Sequence, residues 1–259
     1  MLTDFTTAAI GLIDLTSLND SDTPEQIEAL CRKAVNYKTA AVCIWPRFVG
    51  AARGWLQASG VRLATVVNFP SGEEPVDKVE ADIRQALADG ANEIDVVFPW
   101  RAFLAGDRAG PELLLQRARI ATGGKTLKVI LESGAFPDQK RLAEAGQLAV
   151  RNGADFLKTS TGKIPAGATL EAARTLLQVI LESGRGVDHP LGFKASGGIR
   201  DVATAKAYVA LAEEIMGKGW VSPAHFRFGA SGLIDALVGA APAVPRSGAS
   251  PKNPTPHDY

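Results

Sequence analysis

Two lysines close short apolar runs in this sequence, in Asp155-Phe156-Leu157-Lys158 and in Leu191-Gly192-Phe193-Lys194. An ammonium group costs several kcal/mol to desolvate unless it is paired, so a lysine in such a place either reaches a solvent rim or is put to chemical use. The repetition favours use, because each cation disfavours protonation of the other. At a separation of about 4 Å and an effective dielectric of about 20, two unit charges repel by about 4 kcal/mol, equivalent to about three pK units. An unperturbed lysine, with a pKa of about 10.4, is neutral at pH 7 in about one molecule in 2,500. A shift of about three units makes it a substantial nucleophile toward a carbonyl carbon.

Acids accompany the amines. Asp95 lies within Glu93-Ile94-Asp95-Val96-Val97-Phe98, and Asp14 opens Asp14-Leu15-Thr16. A carboxylate between two amines can form a salt bridge with one of them, or it can shuttle protons through water during carbinolamine formation and carbon–carbon cleavage; both readings stand for Asp95. Asp14 either caps a turn or stands behind the reacting groups. Glycine-rich segments, Gly162-Lys163, Gly197-Gly198 and Gly229-Ala230-Ser231-Gly232, follow the last three apolar runs. They serve either as turns or as a backbone cradle for phosphate, which barrels often bind with the loops after strands seven and eight and the start of a short helix. Ser231 and Gly232 would open such a helix over 233–237.

The elements that must position these groups follow from periodicity. Strand cores are expected at 10–14, 40–44, 62–67, 93–98, 127–131, 156–159, 192–194 and 226–228. Amphipathic segments at 24–34, 76–88, 111–121, 139–152, 170–182 and 203–216 read as crossover helices. The first helix has a sharp start, with Thr23 as N-cap, Pro24 at the first position and Gln26 three residues after the cap. Eight alternations in one chain of this length suit a closed barrel better than an open sheet. The expected fold is therefore α/β: a single (β/α)8 TIM barrel forming a catalytic domain over 1–240. After it, the proline-rich composition of 241–259 reads as a flexible tail.

Composition excludes several function classes. Apolar residues make up 46% and charged residues 22%, as in an ordinary globular domain. Basic and acidic residues number 28 each, so there is no broad electrostatic footprint for nucleic acid or a membrane surface, and any anion must be held locally. His189, His225 and His257 form no ligand set, and Cys31 and Cys43 lack zinc spacing, so neither a metal, a cofactor nor a disulfide is expected. Trp45, Trp55, Trp100 and Trp220 show no stacking ladder and read as core or subunit contacts, the latter compatible with a homodimer. With no basic leader and no membrane-length apolar run, a soluble cytoplasmic protein is expected.

Several segments resemble those of the 2-deoxy-D-ribose-5-phosphate aldolase family: Ile13-Asp14-Leu15-Thr16-Ser17-Leu18-Asn19-Asp20, Glu93-Ile94-Asp95-Val96-Val97, Phe156-Leu157-Lys158-Thr159-Ser160-Thr161-Gly162, Gly192-Phe193-Lys194-Ala195-Ser196-Gly197-Gly198 and Arg227-Phe228-Gly229-Ala230-Ser231. The resemblance runs from about Ile10 to Leu237. It implies a metal-independent class I aldolase on a (β/α)8 barrel that interconverts 2-deoxyribose 5-phosphate with acetaldehyde and glyceraldehyde 3-phosphate. It further implies Lys158 as the Schiff-base lysine, Lys194 as its activating neighbour and Asp95 as the proton-shuttling acid. Asp14, Thr16, Thr161, Gly162, Lys163, Gly197, Gly198, Ser231 and Gly232 would bind substrate. The chain ends in Tyr259, and longer members end in a tyrosine that would protonate the enamine carbon. Gly232 stands where some members carry a second serine, one hydroxyl fewer for phosphate. Two other readings are an aldolase acting on another phosphosugar and a barrel that binds phosphosugars without turning them over.

Overall fold

The computed structural model describes residues 4–184 and 191–239. Eight strands, β1 (Ile13–Ser17), β2 (Ala41–Ile44), β3 (Arg62–Val67), β4 (Glu93–Val97), β5 (Thr126–Ile130), β6 (Phe156–Lys158), β7 (Gly192–Ser196) and β8 (Phe226–Ala230), close in sequence order into one barrel. All neighbours run parallel, and β8 pairs with β1. Around them lie α1 (Asp4–Gly11), α2 (Pro24–Tyr37), α3 (Val49–Trp55), α4 (Val76–Asp89), α5 (Trp100–Leu104), α6 (Ala109–Thr122), α7 (Gln139–Arg151), α8 (Leu170–Glu182), α9 (Val202–Met216) and α10 (Leu233–Gly239). No described helix is long and apolar enough to cross a membrane. The expected tail over 241–259, with Tyr259, lies outside the described residues.

The first strand differs from its expected place. Residues 8–10 belong to α1, which ends at Gly11, and β1 begins only at Ile13. The cause is a continuous apolar stretch, Ala8-Ala9-Ile10-Gly11-Leu12-Ile13, in which periodicity alone cannot separate a buried helix from a strand. Ala9 and Ile10 are buried, and α1 packs against α10. The short helices α3 and α5 were not expected either, since each offers only one or two turns of periodic signal. Elsewhere the helix signals operate as read. Thr23 and Gln26 form a reciprocal capping box at α2, while Asp138, Thr169 and Asp201 cap α7, α8 and α9. Each such cap is worth about 1 kcal/mol.

Strand alternation decides what enters the barrel. The outward residues, such as Ile94, Val96, Leu127, Val129, Phe226 and Phe228, join the main apolar core beneath the helices. Inside, Cys43, Ala64 and Val66 of β2 and β3 form a small apolar group with Leu18. Seven inward positions of the remaining strands carry charge: Asp14, Glu93, Asp95, Lys128, Lys158, Lys194 and Arg227 are all buried. Charged residues alternating with apolar ones in strands whose outer face is covered by helices have only the interior to enter.

Candidate active site

Asp95 is the hub of the interior. Its Oδ1 accepts a hydrogen bond from Lys128 Nζ at 2.7 Å, and its Oδ2 accepts from both Lys158 Nζ and Lys194 Nζ at 2.8 Å. The Lys158 and Lys194 nitrogens are therefore no farther apart than twice that last distance. Strand register enforces the meeting, since Lys158 pairs directly with Lys194, and Asp95 with Lys128. Lys194 also reaches Asp14 at 2.5 Å, and Lys128 reaches Glu93 at 2.6 Å. Arg227 closes the network below, with Asp14 at 2.6 Å and Glu93 at 3.2 Å.

These contacts join three acids, Asp14, Glu93 and Asp95, to four bases, Lys128, Lys158, Lys194 and Arg227. The formal charges cancel when one base is neutral. Burial lowers the pKa of every lysine here, and the contacts decide which of them recovers. For Lys194, Asp14 and Asp95 outweigh burial and hold the amine above the ordinary lysine range. For Lys128, Asp95 and Glu93 do the same. Among the described residues, Lys158 touches one carboxylate, Asp95. Burial, opposed by Asp95 and reinforced by Lys194, leaves its amine below the ordinary range. The sequence reading gave the leading part to repulsion from Lys194, whereas in the structure burial is the larger cause. Burial also pushes the Asp95 carboxyl up, but Lys128, Lys158 and Lys194 together hold it well below the usual range.

Above this network, at the C-terminal ends of the strands, lies a cavity of about 250 Å³. Seven expected substrate-binding residues line it: Thr16, Thr161, Gly162, Lys163, Gly197, Gly198 and Ser231. Thr16 and Ser196 stand two residues beyond Asp14 and Lys194, on the same inner face, which joins the cavity to the ion network. Lys163 Nζ donates to Leu18 O at 2.6 Å and ties two walls together. Two expected binding residues are absent from the lining: Asp14, which is buried and bound to Lys194 and Arg227, and Gly232, which is exposed. The expected part of Tyr259 rests on the resemblance alone, since that residue lies outside those described.

Gly229 shows how closely this floor is fitted. A Cβ there would lie 2.6 Å from Ser196 Oγ and 3.1 Å from Lys194 Cε. Gly229→Ala is therefore expected to displace the Lys194 chain and lower turnover by about tenfold to 100-fold, in line with the cost of misplacing a reacting group by about 1 Å. Steady-state kinetics on a variant with parental circular dichroism checks this, and parental turnover would show that Gly229 does not set the position of Lys194.

Residues that sequence reasoning passed over complete the site. Lys128 lies inside β5 rather than at its end, so a strand-terminal position does not mark it. Its alternation with Leu127 and Val129 carried the signal. Glu93 and Arg227 were read only as parts of longer segments. Arg200 lines the cavity from the loop before α9, where an exposed arginine has no distinguishing spacing. Among the described residues, no group of three or more His, Cys, Asp or Glu side chains is placed to hold a metal ion. The acids of the interior face amines and a guanidinium instead.

A family model described as DeoC/LacD family aldolase matches residues 8–232. The chain belongs to the DeoC/LacD aldolase family. It is an aldolase, a carbon–carbon lyase acting on small molecules. Solved structures similar to this aldolase include a deoxyribose phosphate aldolase from Aeropyrum pernix, described as having a unique tetrameric structure. It is 27% identical, with 90% of this chain and 91% of that one covered and a TM-score of 0.76. A protein from Coccidioides immitis provisionally assigned as a deoxyribose-phosphate aldolase is 28% identical over 92% of this chain and 87% of that one, with a TM-score of 0.79. Another with the same provisional assignment, from Toxoplasma gondii ME49, is 26% identical over 91% of this chain and 95% of that one, with a TM-score of 0.81. The DeoC/LacD match thus spans every strand of the barrel and all seven members of the ion network.

Proposed function

We propose that this aldolase reversibly cleaves 2-deoxy-D-ribose 5-phosphate to acetaldehyde and D-glyceraldehyde 3-phosphate through a Schiff base on Lys158. The observation that carries the reading is the charge balance of the interior. Three acids offset Lys128, Lys194 and Arg227, so the remaining base, beneath an open polar cavity, gains least from protonation. The names of the similar structures support the choice of substrate.

In the proposed cycle the neutral Lys158 nitrogen attacks C1 of the open-chain sugar, and loss of water gives an iminium. The C3 hydroxyl proton leaves through a water held by Asp95 and Lys194, the C2–C3 bond breaks, and its electron pair flows into the iminium to give an enamine. Glyceraldehyde 3-phosphate departs, the enamine carbon is protonated, and hydrolysis releases acetaldehyde and restores the amine. Held ionised by Lys128 and Lys194, Asp95 is a weak base. It keeps Lys158 and Lys194 in register and passes a proton on without retaining it. Lys194, kept protonated by Asp14 and Asp95, lowers the cost of the charge developing on the C3 oxygen.

The phosphate is assigned to the mouth of the cavity, where Lys163, Arg200 and Ser231 meet the backbone of Gly197 and Gly198. Ser231→Glu places a carboxylate against it. The Michaelis constant for deoxyribose 5-phosphate is expected to rise at least about tenfold while that for unphosphorylated deoxyribose stays near parental, since like charges close together in a cleft repel by more than about 1.4 kcal/mol. Equal effects on both sugars would place the phosphate elsewhere. The substrate itself is tested by following acetaldehyde release from deoxyribose 5-phosphate. No release from this sugar, with cleavage of another phosphosugar, would overturn the substrate and leave the aldolase standing.

A further inference from the structure

Glu132 is a buried carboxylate that the cycle above does not use. It stands two residues past the end of β5 and is 1% exposed. Its backbone is left-handed, with φ 58° and ψ 55°, a conformation that a non-glycine residue adopts only when its surroundings impose it. The hydrogen bonds on either side show why it stands so. Leu131 N donates to Lys158 O at 2.9 Å and Ser133 N donates to Thr159 O at 2.7 Å. Two steps along the β5 side thus match a single step along the β6 side, and Glu132 is the extra residue, as in a β-bulge, a device that re-aims one side chain beside a site.

The re-aimed carboxylate meets the chain just beyond Lys158. Glu132 Oε1 accepts from Thr161 N at 3.2 Å, and Oε2 accepts from Thr161 Oγ1 at 2.5 Å, in the range of a charge-assisted bond. The same hydroxyl accepts from Lys163 N at 3.0 Å. One buried carboxylate therefore orders Thr161 and, through it, Lys163, two residues that line the cavity, and Lys163 in turn bonds across to Leu18 O.

We propose that Glu132 is a positioning residue that fixes the Thr161–Lys163 wall for the substrate phosphate. The proposal rests on the phosphate assignment made above. It separates two parts of the site that share one strand end: Lys158, held by Asp95 from within the barrel, and Thr161 to Lys163, held by Glu132 from the segment after β5.

The test compares Glu132→Ala, Glu132→Gln and Thr161→Val in the full chain. Glu132→Ala is expected to raise the Michaelis constant for deoxyribose 5-phosphate about tenfold, the loss that accompanies removal of a charged hydrogen bond. The constant for unphosphorylated deoxyribose and the rate of borohydride trapping with acetaldehyde, which carries no phosphate, are expected to stay close to parental. Glu132→Gln keeps one acceptor oxygen and should recover part of the loss, and Thr161→Val combined with Glu132→Ala should add little to either alone. Should Glu132→Ala fail to fold, Thr161→Val reads the same bond from its other end. An unchanged constant, or equal losses in acetaldehyde trapping and with both sugars, would overturn the positioning role. If the parental enzyme itself does not favour the phosphorylated sugar, the phosphate assignment fails first and the role of Glu132 falls with it.

Discussion

Replacing Lys158 by leucine is expected to abolish covalent capture of acetaldehyde and to lower turnover by about 10⁴-fold or more, the scale seen when a covalent nucleophile is removed. The fold should survive, because the substitution deletes the base that the buried acids need least. Three acids and three bases remain, each base still paired. The sign of the stability change is fixed by linkage. The Lys158 amine lies below its ordinary range in the folded protein, so the unfolded chain binds its proton more readily. Native Lys158 therefore costs stability at low pH, and the cost is relieved as pH rises through the window between the folded and unfolded values. Lys158→Leu should remove that pH dependence and melt no lower than the parent. Retained cleavage activity would move the nucleophile elsewhere, and a large loss of melting temperature would show that the network does need a fourth base.

Lys128→Met is expected to disable the enzyme near neutral pH without touching the reacting atoms. Removing this base leaves three acids against Lys158, Lys194 and Arg227, a set that balances only when Lys158 is protonated. The Lys158 pKa should then rise by about one to three units, the effect of one unit charge at close range in a partly screened interior. The acidic limb of kcat/KM, which reports the free enzyme, should move upward by the same amount, with activity recovering at alkaline pH. The stability loss should fall short of the about 3–5 kcal/mol of a broken buried pair, because the Lys158 ammonium supplies the missing charge. A variant whose acidic limb stays in the parental position would contradict charge balance as the cause of the neutral amine.

The legibility of this site in the sequence followed the strength of each local signal. Lys158 and Lys194 were visible because each ends an apolar run, and Asp95 because it interrupts one; the structure joins both amines at one carboxylate oxygen, Asp95 Oδ2. The glycine segments after β6, β7 and β8 were legible for a similar reason, as glycines and a serine at strand ends, and most of them line the cavity. Lys128 escaped because a mid-strand lysine reads as a solvent-facing residue until the helices are known to cover the outside of the barrel. Glu132 escaped because its importance comes from one extra residue in the β5–β6 pairing, a feature of register that no single-chain pattern encodes. The first strand was misplaced where apolar residues run unbroken from α1 into β1 and the period gives no boundary. Long-range partners, such as Arg227 with Asp14 and Glu93, follow from barrel closure and from nothing local.

The most direct test of a neutral Lys158 within a balanced network is the pH dependence of borohydride trapping with acetaldehyde in the parental enzyme, with the adduct located by peptide mass analysis. A single reduced ethyl adduct on Lys158 is expected, with a trapping rate that reaches its plateau well below the pH at which an ordinary lysine loses its proton, about 10.4. An adduct on Lys128 or Lys194, or trapping at Lys158 that rises only at the pH of an ordinary lysine, would contradict it.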